Sequence, residues 1–301
     1  MASTYKLPGL PEQGRCLVMG VVNVTPDSFS DGGAYFDPKR AIEHGLRLAE
    51  EGADIVDVGG ESTRPGAQRI SRDEELRRVG PVVRELSRQG VAVSIDTMRA
   101  EVAEYAVEAG ARLVNDVSGG LADPSMARLV AKAGVAYVLM HWRGHSHDMQ
   151  NRAMYDDVVR EVHNELRQRM EAMVDEGVDP DQIILDPGLG FAKRPDRSHN
   201  WALLSALDTF HDMGRPLLIA GSRKRFLGRL LTDAEGTARP SAGCDAATVA
   251  LTTLAADRGA WCVRVHDVRP NADAVRVASA WRSGGADLDE GRADVIGRGG
   301  L

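Results

Sequence analysis

The sequence has few cysteines and no long apolar run, and each absence argues against a class of protein. Its three cysteines, Cys16, Cys244 and Cys262, are far apart and odd in number. This spacing argues against a disulfide framework or a cysteine-based zinc site, and it fits a reducing compartment. No apolar stretch approaches the ~20 residues of a membrane helix, and the first residues carry no signal-peptide pattern. We therefore expect a cytoplasmic protein without membrane contacts.

Positive charge is also in short supply. The 301 residues include 37 Lys and Arg against 44 Asp and Glu, which gives a net charge of −7. Proteins that bind nucleic acid usually present a basic face, so no nucleic-acid partner is expected. A local basic site for an anionic ligand remains compatible with this balance.

Eight short aliphatic stretches are present, and longer helical patterns separate them. The stretches cover residues 17–22, 54–60, 91–96, 112–116, 135–141, 182–187, 216–221 and 261–266. Most are continuously apolar, which is typical of strands covered on both faces. The helical patterns start at Asp-Pro pairs (37–38, 123–124 and 179–180) or at a capping box from Ser71 to Glu74, and they tend to end at glycine.

This alternation predicts a parallel α/β architecture. Eight units in a chain of this length match a single (β/α)8 TIM barrel. The alternative is an open doubly wound sheet, but its glycine-rich G-x-G-x-x-G loop is absent. We expect one domain over residues 1–301, with the barrel at 17–284, a flexible N-terminal arm at 1–15 and a flexible C-terminal tail at 286–301.

Polar side chains are concentrated where the predicted strands end. They are Asn23, residues 61–64, Asp96, Asn115, Asp116, His141, Asp186, residues 222–224, Arg264, His266 and Asp267. In a (β/α)8 barrel the carboxyl ends of all strands meet at one rim, which carries the active site. The amino ends show no matching set, so the sequence predicts an active site at the carboxyl rim.

Two kinds of chemistry are present in this set. Asp96, Asn115 and Asp186 offer acceptors for the N–H groups of an amino-substituted heterocycle, although each taken singly is more typical of a salt bridge or a helix cap. Asp116 is better suited to bracing a loop. The basic residues of 222–225, with Arg264 and His266, follow the last two strands, where many barrels bind phosphate.

Other interpretations of single residues stay open at this point. Lys224 could form a Schiff base in an aldolase-like barrel, although its basic neighbours equally suggest an anion site. His141, His145 and His147 could hold a transition metal, but no cluster of carboxylate or cysteine ligands lies near them in the sequence. Met140 could wall a flat ring or belong to the core.

The motifs together resemble those of the dihydropteroate synthases, from about residue 17 to about residue 280. They are NVTPDSFSDGG (23–33), DVGGESTRPGA (57–67), SIDT (94–97), NDVSGG (115–120), LMHW (139–142), DPGLGFAK (186–193), GSRKRFLG (221–228) and RVHDV (264–268). The resemblance implies a TIM barrel and a homodimer. It implies a transferase of folate biosynthesis that joins 7,8-dihydropterin-6-ylmethyl diphosphate to 4-aminobenzoate with Mg²⁺, and that sulfonamides inhibit.

The resemblance also implies a role for individual residues. For the pterin these are Asp96, Asn115, Met140, Asp186 and Lys224, and Phe191 is a further substrate-binding residue. For the diphosphate they are Arg264, His266 and Asn23, which would also ligate Mg²⁺. For the second substrate and the two loops over it they are Thr63, Arg64, Pro65, Ser222, Phe29 and Asp31. Phe29, Asp31, Asp186, Lys224 and Arg264 are the expected catalytic residues.

Two alternative functions share many of these residues. A pterin-dependent methyltransferase would use the same acceptors but needs no diphosphate site, so the basic residues argue against it. A catalytically silent pterin-binding paralogue would be expected to lack loop residues, and both loop motifs are intact.

Overall fold

Eight parallel strands form the centre of the protein. The computed structural model describes residues 5–25, 37–62, 69–144, 152–194 and 197–286. The strands are β1 (Leu17–Asn23), β2 (Ile55–Gly59), β3 (Val93–Asp96), β4 (Leu113–Asp116), β5 (Ala136–Met140), β6 (Ile183–Asp186), β7 (Leu218–Ile219) and β8 (Cys262–Val265). Each lies inside or within one residue of its predicted stretch.

The strands close into a barrel. Hydrogen-bonded pairing runs in the order β6-β5-β4-β3-β2-β1-β8-β7, and every pair is parallel. The remaining gap is closed by a bridge between Leu185 and Leu217, where the Leu185 N–H donates to the Pro216 carbonyl at 2.9 Å. The predicted (β/α)8 barrel is therefore confirmed.

Helices follow the strands around the outside. They are α1 (Pro38–Glu50), α2 (Arg72–Arg88), α3 (Ala100–Glu108), α4 (Met126–Ala133), α5 (Val158–Asp175), α6 (His199–Ser205), α7 (Leu207–His211), α8 (Arg225–Leu230), α9 (Asp245–Asp257) and α10 (Val268–Ser283). Short 3₁₀ turns cover Pro180–Gln182 and Ser241–Cys244.

The predicted helix starts are confirmed at Asp37, Ser71 and Asp179 and wrong at Asp123. The side chains of Asp37 and Ser71 cap α1 and α2. Asp123 does not cap the helix that follows it, because its carboxylate accepts from the backbone N–H groups of Ala100, the first residue of α3, and of Ser125. Asp179 does cap, but the element is a single 3₁₀ turn before β6, since the chain must enter the strand three residues later.

The core has two layers, as the alternation of side chains along a strand requires. The outer layer packs the strands against the helices. The inner layer fills the barrel with side chains such as Met19, Ile55, Leu113 and Ile184. Leu7 and Leu10, from the arm predicted to be flexible, are buried in the same inner cluster. The amino end of the barrel is thus filled with apolar groups, which leaves the carboxyl end for the polar ones.

One close backbone contact offers a test of the packing. A Cβ on Gly228, in α8, would lie 2.3 Å from the Arg239 carbonyl oxygen. Because this neighbour is backbone and cannot rotate away, Gly228→Ala should lower the free energy of unfolding by about 1–3 kcal/mol. Urea unfolding measures the loss, with Gly14→Ala as the control, since nothing lies within 4 Å of a Cβ there. Equal unfolding midpoints for the two variants would contradict this packing.

Candidate active site

The predicted polar residues of β3, β4, β6 and β8 meet at the carboxyl end of the barrel. The strand register pairs Gly59 with Asp96, and Asp96 with Asn115. Asp186 ends β6 beside Met140 of β5. Asp96, Asn115, Met140 and Asp186 are all buried. The expectation that they share one rim is confirmed by this register.

Arg264 connects this set across the barrel interior. Its Nε donates to Asp57 Oδ2 at 2.6 Å and its Nη2 donates to Asp96 Oδ2 at 2.8 Å. Asn115 Nδ2 donates to the same oxygen of Asp57 at 2.9 Å. Burial raises the pKa of Asp96 to about 7, and the guanidinium of Arg264 opposes that rise. One cation is thus shared between two enclosed carboxylates, which favours a site that takes up further N–H donors.

Asp57 is a central residue that the sequence prediction did not include among its candidates. It lies within β2, is fully buried and accepts from both Arg264 and Asn115. Its second oxygen, Oδ1, is buried without a hydrogen-bond donor among the residues that the structure describes. A carboxylate inside an otherwise apolar stretch was the available signal, because a buried charge needs a partner.

Asp186 and Lys224 form the second part of the site. Asp186 Oδ1 accepts from the Gly188 N–H at 2.7 Å. Burial raises the pKa of Asp186, while that hydrogen bond and the charge of Lys224 oppose the rise. Burial also lowers the pKa of Lys224 to about 8, with the charge of Arg264 acting in the same direction. Lys224 Nζ lies 4.2 Å from the centre of the Phe191 ring, so this ring and the ammonium face each other.

The basic residues after β7 point in different directions. Arg223 has a left-handed backbone (φ 56°) and its guanidinium donates to both oxygens of Asp245. Arg225 is exposed. The prediction of one basic group from residues 222–225 is therefore wrong for Arg223, because the turn directs its side chain to an ion pair on α9.

Ser222 and His266 join the ends of β7 and β8. The His266 N–H donates to Ser222 Oγ at 3.2 Å, and the same Oγ lies 2.9 Å from His266 Nδ1. These two contacts tie the imidazole ring of His266 to the end of β7.

His141 belongs to a buried network of hydrogen bonds. Its Nδ1 lies 2.7 Å from Lys193 Nζ, and its Nε2 lies 2.9 Å from Glu165 Oε2. Burial lowers the pKa of His141 to about 4, with the charge of Lys193 acting in the same direction. His145 and His147 lie outside the described residues. Within those residues, no group of three His, Cys, Asp or Glu could hold a metal ion.

Several predicted site residues belong to segments that the structure does not describe. Phe29, Asp31, Thr63, Arg64 and Pro65 all lie outside the described residues. Asn23, at the end of β1, pairs in register with Gly59.

Arg99 connects two residues on either side of the undescribed positions 63–68. The Arg99 side chain donates to Glu61 Oε2 at 2.8 Å, to the Ile70 carbonyl at 2.6 Å and to Glu75. Nothing in the sequence distinguishes Arg99, which directly precedes a helix, from an ordinary surface arginine.

These features define a (β/α)8 barrel with hydrogen-bond acceptors and cations enclosed at the carboxyl ends of its strands. A family model described as "Pterin binding enzyme" matches residues 19–266. The dihydropteroate synthase of Mycobacterium leprae is 56% identical over 92% of this chain and 97% of its own length. The chain therefore belongs to the dihydropteroate synthase family of pterin-binding enzymes.

Solved structures agree with this assignment. The Xanthomonas albilineans dihydropteroate synthase, solved with 4-aminobenzoic acid, has a TM-score of 0.81 at 44% identity, covering 90% of this chain and 94% of that one. The Yersinia pestis dihydropteroate synthase, solved with a sulfonamide drug complex, has a TM-score of 0.84 at 38% identity, covering 92% and 98%.

The buried Lys193 gives a prediction for the pH dependence of stability. Its side chain is 1% exposed, and burial lowers its pKa from 10.5 to about 7. Between these values the unfolded chain binds more protons, so stability should rise with pH through this window. Lys193→Met should remove up to about 1 kcal/mol per pH unit of that rise.

Urea unfolding at pH 7, 8 and 9 measures the difference between wild type and variant. Lys132→Met serves as the control, at a side chain that is 81% exposed. A difference between wild type and Lys193→Met that stays constant over these pH values would contradict the prediction.

Proposed function

We propose that the protein condenses 7,8-dihydropterin-6-ylmethyl diphosphate with 4-aminobenzoate, giving 7,8-dihydropteroate and diphosphate in folate biosynthesis. The observation that carries the proposal is the enclosed cluster of Asp57, Asp96, Asn115 and Arg264 at the carboxyl end of the barrel. The cluster offers acceptors for a pterin and one cation, Arg264, for a leaving group within one site.

The pterin would be held by the acceptor side of this cluster. Asp96, Asn115 and Asp186 offer buried hydrogen-bond acceptors from β3, β4 and β6. An amino-substituted pterin ring offers N–H groups to such oxygens. Met140 and Phe191 would contact the ring, and the second of these already faces the Lys224 ammonium.

The diphosphate would bind Arg264, His266 and Asn23, which come from the two neighbouring strands β8 and β1. Arg264 pairs with Asp57 and Asp96 and is 17% exposed, so it borders both halves of the site. 4-Aminobenzoate would bind near Ser222, with Thr63, Arg64 and Pro65 over it and with Phe29 and Asp31 from the first loop.

The reaction is a substitution at the methylene carbon of the pterin. The C–O bond to the diphosphate breaks, and the electron pair leaves with the phosphate oxygen. Lys224 and Arg264 would stabilise this negative charge, while the carboxylate of Asp186 or Asp31 would stabilise the cation conjugated with the pterin. The amine of 4-aminobenzoate then attacks the carbon and loses a proton. No covalent enzyme intermediate is needed.

We propose Mg²⁺ as the cofactor, with Asn23 as its protein ligand. No cluster of charged metal ligands is found in the described part of the chain. A single protein ligand, Asn23, fits an ion that is coordinated mainly by substrate phosphates and water, as Mg²⁺ often is. When bound, Mg²⁺ would supply positive charge to the departing diphosphate.

We propose that the protein forms a homodimer through α9 and α10. These two helices pack together, as the hydrogen bond from Arg282 to the Ala256 carbonyl illustrates. Leu254 of α9 and Val277 and Trp281 of α10 are 65%, 61% and 84% exposed. Large apolar side chains exposed side by side are typical of an interface, and a second copy of the chain would cover them symmetrically.

We propose a cytoplasmic location. Cys16, Cys244 and Cys262 are all unpaired thiols and buried, which supports a reducing compartment. None of the described helices is long and apolar enough to cross a membrane.

The proposal is tested by the release of diphosphate from the pterin diphosphate, with and without 4-aminobenzoate and with and without Mg²⁺. We expect 7,8-dihydropteroate only when all three are present, and competition between a sulfonamide and 4-aminobenzoate. A silent paralogue would bind the pterin but form no product. A chain that gives no Mg²⁺-dependent product is not a synthase.

Asp96→Asn should weaken binding of 6-hydroxymethyl-7,8-dihydropterin by about tenfold or more. The substitution replaces one of the two acceptor oxygens with an NH2 group, which is a donor and faces the donors of Arg264. Calorimetry measures the Kd. Asp208→Asn, at a side chain that is 81% exposed, is the control. An unchanged Kd for Asp96→Asn would remove this residue from the proposed pterin site.

Trp281→Glu should convert the dimer to a monomer, since it would bury a charge in an apolar interface. Light scattering coupled to gel filtration measures the mass. Leu230→Glu, on α8 and 62% exposed, is the control and should stay dimeric. A monomeric wild type, or a dimeric Trp281→Glu, would reject this interface.

A further inference from the structure

Lys193 is a buried cation for which the reaction outlined above has no use. Its side chain is 1% exposed and lies behind the rim of the barrel. Its Nζ donates to the Pro187 carbonyl at 2.8 Å and lies 2.7 Å from His141 Nδ1. Pro187 follows Asp186, and His141 follows Met140. The ammonium therefore connects the residues that come directly after the ends of β5 and β6.

The turn after Asp186 is pressed closely against the end of β5. Gly188 has a left-handed backbone (φ 70°), and its N–H donates to the carboxylate of Asp186. A Cβ at this position would lie 2.6 Å from the His141 carbonyl oxygen and 3.3 Å from Lys193 Nζ. The position of the Asp186 carboxylate thus depends on this three-way contact.

The backbone that delivers Lys193 is held in an uncommon conformation. Ala192 has φ 46°, a left-handed value that residues other than glycine rarely adopt. Its carbonyl accepts from the Tyr155 hydroxyl at 2.9 Å. Such a conformation costs free energy and persists where the surroundings enforce it, which is common at functional sites.

His141 is fixed from its other side as well. Because Nδ1 accepts from the Lys193 ammonium, the ring proton lies on Nε2, which donates to Glu165 of α5. Glu165 also accepts from Arg143. A continuous chain of hydrogen bonds therefore leads from α5 through His141 and Lys193 to the turn that carries Asp186.

We propose that Lys193 is a positioning residue for the pterin site: it fixes the Asp186 carboxylate relative to Met140 and places a positive charge behind it. The inference rests on the proposed function, because it assigns Asp186 and Met140 to the pterin. Lys193 itself touches neither the substrate nor the reacting atoms in this assignment.

A purely structural role would be served better by an apolar residue. Burying an ammonium is unfavourable unless its partners offset the loss of water, and a hydrophobic replacement of similar volume is often as stable. Lys193→Met should therefore fold, while the turn of Asp186 loses both its tether and its neighbouring charge. This variant should keep its stability and lose pterin affinity.

The experiment compares wild type, Lys193→Met and Arg169→Met at pH 6, below the Lys193 pKa of about 7, so that the ammonium is charged. Calorimetry measures binding of 6-hydroxymethyl-7,8-dihydropterin and, separately, of inorganic diphosphate. Arg169 is the matched control, since this cation of α5 also donates to a backbone carbonyl, that of Gly119 at 2.5 Å, but away from Asp186. Lys193→Met should raise the Kd for the pterin by about tenfold or more, which is the effect expected from the loss of a charged hydrogen bond. Diphosphate affinity should stay within about twofold, and Arg169→Met should bind both ligands as wild type does.

Two results would overturn the inference: wild-type pterin affinity in Lys193→Met, or an equal loss of both ligands. If Lys193→Met does not fold, Lys193→Gln decides, because it removes the charge and is too short to keep both contacts, with Pro187 and with His141. Unchanged pterin affinity in that variant would also overturn the inference. A wild type that binds neither ligand would instead reject the proposed function, so the two failures are distinguishable.

Discussion

The structure of the site depends on one guanidinium shared by two buried carboxylates. Arg264 extends from β8 to Asp57 of β2 and Asp96 of β3, so a single side chain connects three strand ends. Removing these charges from water is unfavourable, and only mutual pairing with good geometry offsets that cost. The barrel supplies the geometry, because parallel strands with a fixed register bring the three residues together. A barrel with a different strand register would leave Arg264, Asp57 and Asp96 unpaired.

This arrangement is also what prepares the site for chemistry. The enclosed carboxylates of Asp57, Asp96 and Asp186 are balanced by the nearby charges of Arg264, Lys224 and Lys193. The groups are held before any ligand arrives, so little reorganisation is needed when charge develops in a substrate. Burial moves the pKa of Asp96 up to about 7 and that of Lys224 down to about 8. Both groups therefore respond to small changes in their surroundings near neutral pH.

The barrel and much of the site could be predicted from the sequence, because two patterns in it are independent of each other. The eight aliphatic stretches predicted the barrel, and the polar residues that follow them predicted the rim. Asp96, Asn115, Asp186 and Arg264 meet there because strand ends leave little freedom of position. The direction of the Arg223 side chain could not be predicted. A left-handed backbone at this residue directs it to Asp245, and no sequence pattern indicates such a backbone for an arginine.

The residues that prediction missed share a physical property. Asp57, Arg99 and Lys193 act through partners that are far away along the chain: Arg264, Glu61 and His141. A sequence pattern reports a residue's neighbours, whereas these contacts arise only once the barrel closes. Motif residues were found because they lie at strand ends, which any barrel places in the site. Residues behind them are found only from the contacts that hold those ends. Lys193 is an example, because its contact with His141 connects Glu165 of α5 to the turn after Asp186.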